Sequence, residues 1–97
     1  MRVLAIIEVA PNSSIDVIRA ELENELREAW RLYSSGVLRE AYATDAPTRV
    51  VFALEAQDMT RAEQSLRGLP LIASGLMRVS LVELRPFTNW SALFATK

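Results

Sequence analysis

Glu25, Arg39, Tyr42 and Glu55 are the residues of this 97-residue chain whose types and spacing could do chemistry, with Glu40 and Glu8 beside them. The chain has no cysteine and no histidine, so proton transfer falls to Glu, Asp, Tyr, Lys or water. Glu25 lies three residues after Leu22 and four before Ala29, at the border of a helical apolar stripe. Arg39 is the one charge on a strand face that otherwise carries Val37, Ala41, Ala43, Val50, Phe52 and Leu54. A buried arginine needs a carboxylate, and Glu25 is the nearest by pattern. Two readings follow. In one, Arg39 grips an anionic substrate by a bidentate contact while Glu25 moves a proton. In the other, the two form a structural ion pair. On the opposite face Glu40, Tyr42 and Glu55 sit among apolar neighbours. They line either a polar cavity between paired sheets or a solvated rim. Glycine-rich phosphate loops, metal-ligand spacings and nucleophile triads are absent from the sequence, so no cofactor and no metal are expected.

These side chains need elements to hold them. Met1 to Val9 reads as a strand apolar on both alternate sets, which predicts cover on both faces. Pro11-Asn12 breaks it, and Ser13 or Ser14 offers a cap. Ile15, Ile18, Leu22, Leu26, Ala29, Trp30 and Tyr33 then mark a helix of about five turns with one apolar stripe. Gly36 can take the left-handed conformation that ends it. Val37 to Thr44 and Arg49 to Ala56 alternate as strands around the turn Asp45-Ala46-Pro47-Thr48. That turn sets 38 opposite 55, 40 opposite 53 and 42 opposite 51. Asp58 or Thr60 caps a shorter helix, Met59 to Arg67, with Thr60 and Glu63 spaced as a capping box. A connection from Leu71 to Gly75 leads to a fourth strand, Met77 to Arg85, closed by Pro86. The order β-α-β-β-α-β predicts an α+β, ferredoxin-like domain over 1–97, two helices covering one face of a four-stranded antiparallel sheet. Residues 1–86 form its core and 87–97 an aromatic tail.

Two helices leave one sheet face bare, and that face carries Leu4, Ile6 and Val51. A homodimer or a ring of dimers is expected to cover it, sheet against sheet, with Phe87, Trp90 and Phe94 as a latch. Trp30 and Tyr33 read as core or interface. Hydrophobic residues are 51% and charged residues 24% of the chain, a globular composition. Eleven basic and 12 acidic side chains leave a net charge of -1, with no electrostatic footprint for nucleic acid or anionic membrane. Val3 to Ile7 is too short an apolar run for a signal segment or a span. A cytoplasmic location is expected.

At these same residues the sequence resembles the muconolactone isomerase family, within the dimeric α+β barrel group. Gly36-Val37-Leu38-Arg39 is similar to that family's glycine-x-x-arginine at the second strand, and Tyr42 stands where an aromatic is expected. Glu55 matches an acidic position ending the third strand, and Leu69-Pro70-Leu71 a leucine-proline-leucine. Pro86 matches the proline closing the fourth strand, and Glu25 an acidic helix position. The chain departs from the pattern where Glu40 and Arg85 replace histidines. The resemblance implies a cofactor-free isomerase that shifts a proton on a small unsaturated lactone carboxylate. Arg39 would hold this small anionic substrate, Glu25 or Glu55 would be the base, and Tyr42 a donor. The other readings are a non-catalytic module that binds a small ligand or partner, and a monooxygenase-like member of the same group.

Overall fold

Hydrophobic alternation organises the molecule around its first strand. The computed structural model describes residues 1–95. Strand β1, Arg2–Val9, has Val3, Ala5 and Ile7 at most 2% exposed, with Leu4 and Ile6 half-buried on the reverse. It pairs antiparallel on both sides, with β3 (Thr48–Glu55) and β4 (Met77–Leu84). Strand β2, Leu38–Asp45, lies outside β3, so the sheet order is β2-β3-β1-β4. Between strands run helices α1 (Ile15–Ser34) and α2 (Met59–Arg67). Val3, Ala5, Ile7, Leu38, Phe52 and Leu54 form one cluster with Ala62 and Leu66 of α2 and, at its margin, Ala29 and Leu32 of α1. Both helices therefore cover the same face. The fold is α+β and ferredoxin-like.

Local chemistry places the helix ends. Ser14 caps α1, its hydroxyl oxygen accepting from the Val17 N–H, and Asp58 caps α2 by accepting from the Arg61 N–H at 2.8 Å. Thr60 lies inside α2, so the Thr60–Glu63 capping box is not used. Gly36, at φ +86°, ends α1 as expected: the Gly36 N–H donates to the Tyr33 carbonyl and the Val37 N–H to that of Leu32. The connection after α2 holds an unanticipated single turn, α3 (Pro70–Ala73), whose proline sits at its first position. Leu69 and Leu71 are fully buried on either side of that proline.

The second strand departs from strict alternation. Glu40 faces Ala53 and Tyr42 faces Val51 as the turn predicts, but Leu38 faces Leu54 rather than Glu55. One extra residue, Arg39, makes a β-bulge. It carries Leu38 into the core at 4% exposure and puts Arg39 in solvent. Leucine burial is favourable, while an unpaired guanidinium in the core costs several kcal/mol, so the bulge resolves the conflict.

The apolar stripe of α1 is only partly used. Ile18 is buried, yet Leu22, Leu26, Trp30 and Tyr33 remain 44–67% exposed, with the last two rings stacked at 5.4 Å. After β4 the chain forms a 3-10 segment, Thr88–Phe94, and Phe87 just before it packs edge-on against Trp90. Phe87, Trp90, Leu93 and Phe94 are all at least 60% exposed. Positions 96 and 97 of the expected tail lie outside the described residues. No helix among the described residues is long and apolar enough to cross a membrane.

Candidate functional site

Small side chains open a cleft where α1 crosses the hairpin. Ala29 on the helix and Ala41 and Ala43 on β2 are too short to fill the space between the layers. The result is a cleft of about 330 Å³ walled by Leu22, Leu26, Phe52 and Met77. That volume suits a small organic molecule, since ligand sites begin at about 300 Å³. A second apolar hollow runs on from it past Leu26 and Phe52 to Trp30 and Tyr33.

Glu25 is the acidic residue on the cleft wall, and it is buried. Its Oε1 accepts a 2.9 Å hydrogen bond from the Leu71 N–H. That N–H belongs to the first turn of α3, where Leu69 offers no side-chain cap and the Ile72 and Ala73 N–H groups donate to the Leu69 carbonyl. Among the described residues no donor reaches the second carboxyl oxygen. Burial pushes the Glu25 pKa up, and the Leu71 N–H partly offsets this by stabilising the ionised form. A carboxyl so placed, once ionised, can take a proton from carbon.

The expected Glu25–Arg39 pair is not formed. Glu25 bonds Leu71, while the exposed Arg39 folds back so that its Nε donates to the Gly36 carbonyl at 2.6 Å. The bulge is the cause, because it turns residue 39 away from the helix-covered face. Arg39 is not among the residues lining the cleft.

Tyr42 and Glu55 gather elsewhere, on the bare face. The Tyr42 hydroxyl donates to Glu40 Oε2 at 2.6 Å, and this bond raises the Tyr42 pKa. Arg2 Nη1 stands 3.6 Å from Glu40 Oε1, and Arg2 Nε donates to Glu55 Oε2 at 3.1 Å. Glu55 also accepts from the Met1 amino group, and these cations hold its pKa below the usual carboxylate range. Tyr42 also borders the cleft from its strand, but its hydroxyl is committed to Glu40 on the bare face. At the other end of the face Glu8 accepts from Arg49 at 3.2 Å and Arg78 at 2.9 Å, which lowers its pKa. Between the two charged ends lie Leu4, Ile6, Val51, Ala53 and Val82.

Sequence reasoning missed the Leu71 amide, which side-chain patterns do not display. It also missed Arg2, Arg49 and Arg78, although their strand positions, paired with Glu55 and Glu8, could have shown them. Among the described residues no three Asp or Glu side chains gather closely enough to hold a metal ion. A comparison of the sequence with protein-family models finds no match, and a comparison with curated proteins finds none.

Proposed function

We propose that the chain is a cofactor-free proton-transfer enzyme, similar to the muconolactone isomerases, acting on a small unsaturated lactone or related carbon acid. The observation that carries this reading is Glu25, a buried carboxyl on the wall of an apolar cleft with one oxygen held by Leu71. Ionised Glu25 removes a proton from carbon beside the substrate carbonyl. The C–H electron pair passes into a dienolate, and Glu25 returns the proton two carbons along. Desolvation in the apolar wall makes the carboxylate a stronger base. In this scheme Arg39 stands outside the machinery, and Tyr42 spends its hydroxyl on Glu40.

The test is ultraviolet-monitored turnover across unsaturated lactones with and without a carboxylate, with deuterium uptake from solvent as a second readout. Glu25→Gln is expected to lower the rate by about 100-fold or more. Arg39→Ala is expected to leave the rate within about twofold. Absence of both turnover and exchange by the folded protein would sink the isomerase reading. A second reading, a binding module without catalysis, is favoured by the Glu25–Leu71 bond, since capping α3 alone accounts for a carboxyl there.

The working unit in this proposal is a homodimer, or a ring of dimers, in the cytoplasm. The bare sheet face supports it through shape and charge. Strands β3 and β1 are the two central strands, so a two-fold axis along the strands between them exchanges their places. Arg2 then faces Glu55 of the partner subunit, and Glu8 faces Arg49 of the partner subunit. The apolar band meets its own copy between these charged ends. Burying about 400 Å² of apolar surface per subunit stabilises by on the order of 10 kcal/mol each, before association entropy is subtracted.

A further inference from the structure

The polar inventory of the cleft decides which ligands it can hold. Its wall is apolar except for Glu25 and Tyr42, and the Tyr42 hydroxyl already donates to Glu40. Among the described residues no lysine or arginine lines it. Of the cations that flank the hairpin wall in sequence, Arg39 is exposed and tied to the Gly36 carbonyl, and Arg49, next to Val50, is held by Glu8. Arg2, Arg49 and Arg78 are engaged by Glu55, Glu40 and Glu8 on the reverse of the sheet. From this distribution we infer that the cleft takes an uncharged, mostly apolar small molecule with one hydrogen-bonding end, and rejects carboxylates.

This rests on the reading of the cleft as a ligand site and narrows its substrate class. A carboxylate entering it loses water and meets no cation. If Glu25 is ionised the two anions repel, and if Glu25 is protonated the desolvation remains uncompensated. An ammonium would need Glu25 ionised within the apolar wall, so two charges would lose water together. An uncharged ketone, lactone or alcohol avoids both costs. Its polar end meets the second oxygen of Glu25, as a donor to the carboxylate or an acceptor from the acid. The substrate of the proposed proton shift is thus the lactone or enone itself, without a carboxylate arm.

Three probes of one shape test the inference: 2-naphthalenemethanol, 2-naphthoate and 2-naphthylmethylammonium, each titrated near pH 7 into the full chain. Affinity is read by calorimetry and location by methyl resonances of Ile7 and Met77, which line the cleft. The alcohol is expected to bind and shift those methyls, with the naphthoate weaker by about tenfold or more. Ala43→Trp, at an exposed position of the edge strand, should fill the cleft and abolish the shifts. Leu26→Arg, at a helix position 60% exposed, supplies the missing cation and should tighten naphthoate by about fivefold or more. Equal or tighter binding of naphthoate or the ammonium by the unaltered chain overturns the inference. So does an alcohol that fails to bind, or binds without moving the cleft methyls, or a Leu26→Arg protein that gains nothing for naphthoate. Deuterium exchange into bound cyclohex-2-enone reads catalysis separately: selective binding without exchange upholds the ligand class and removes the proton shift.

Discussion

At Glu25, burial and a single backbone N–H act on one carboxyl in opposite senses, and burial prevails. A carboxyl whose folded pKa is raised favours the native state while protonated and loses that contribution as pH climbs from about 4.5 through the raised value. Glutamine keeps an acceptor for the Leu71 N–H without the charge. Thermal melts from pH 4 to 8 should therefore show Glu25→Gln gaining stability relative to the unaltered protein as pH rises; a constant offset would contradict the assignment. If the proposed proton shift holds, turnover by the unaltered protein should rise over that same window, as Glu25 ionises. Glu55 has the opposite sign. Its lowered pKa means that the contribution of its bonds to Arg2 and the Met1 amine is present above about pH 4.5 and fades as acid protonates it. Melts of Glu55→Gln should consequently fall below those of the unaltered protein at pH 7 and converge on them in acid.

At the scale of elements, the start of β2 settles which residues the site can use. The bulge at Arg39 predicts that Leu38→Ala costs about 2–4 kcal/mol, as for a core leucine, whereas Arg39→Ala costs under about 0.5 kcal/mol. Urea denaturation measures both, and strict alternation would reverse their order. Gly36 makes a separate prediction. A Cβ there would meet nothing nearer than Arg39 Nη2 at 4.0 Å, so Gly36→Ala pays only for its left-handed backbone, about 1 kcal/mol. The helix and strand spans were legible in the sequence because apolar periods and Gly, Pro and Ser punctuation are local signals. The bulge was not, since alternation carries a residue's face forward until something interrupts it. The clue lay in Arg39 itself, for a lone arginine on an apolar face is a reason to suspect that the alternation has slipped.

The whole molecule measures 61 × 30 × 19 Å with a radius of gyration of 16.1 Å, against roughly 12–13 Å for a compact chain of this length. An exposed aromatic segment beyond a compact body is the shape of an arm, and it accords with the proposed latch on a second subunit. Sedimentation at low micromolar concentration should show a dimer or larger species. Ile6→Lys, in the middle of the bare face, should dissociate it, and truncation after Pro86 should weaken assembly and stability together. A stable monomer of about 11 kDa would end the dimer proposal. By itself the sequence determined the four strands, the two main helices, their order and the ferredoxin-like fold, because periodicity and turn chemistry are written residue by residue. It also placed Glu25 on the border of the helix stripe. Only the tertiary structure decided the partners of the charged groups, because these depend on a one-residue shift in register and on a backbone amide 46 positions away. Through that shift Arg39 passed from the expected anion clamp to the surface, and Glu25 was left beside an apolar cleft with the Leu71 amide as its partner.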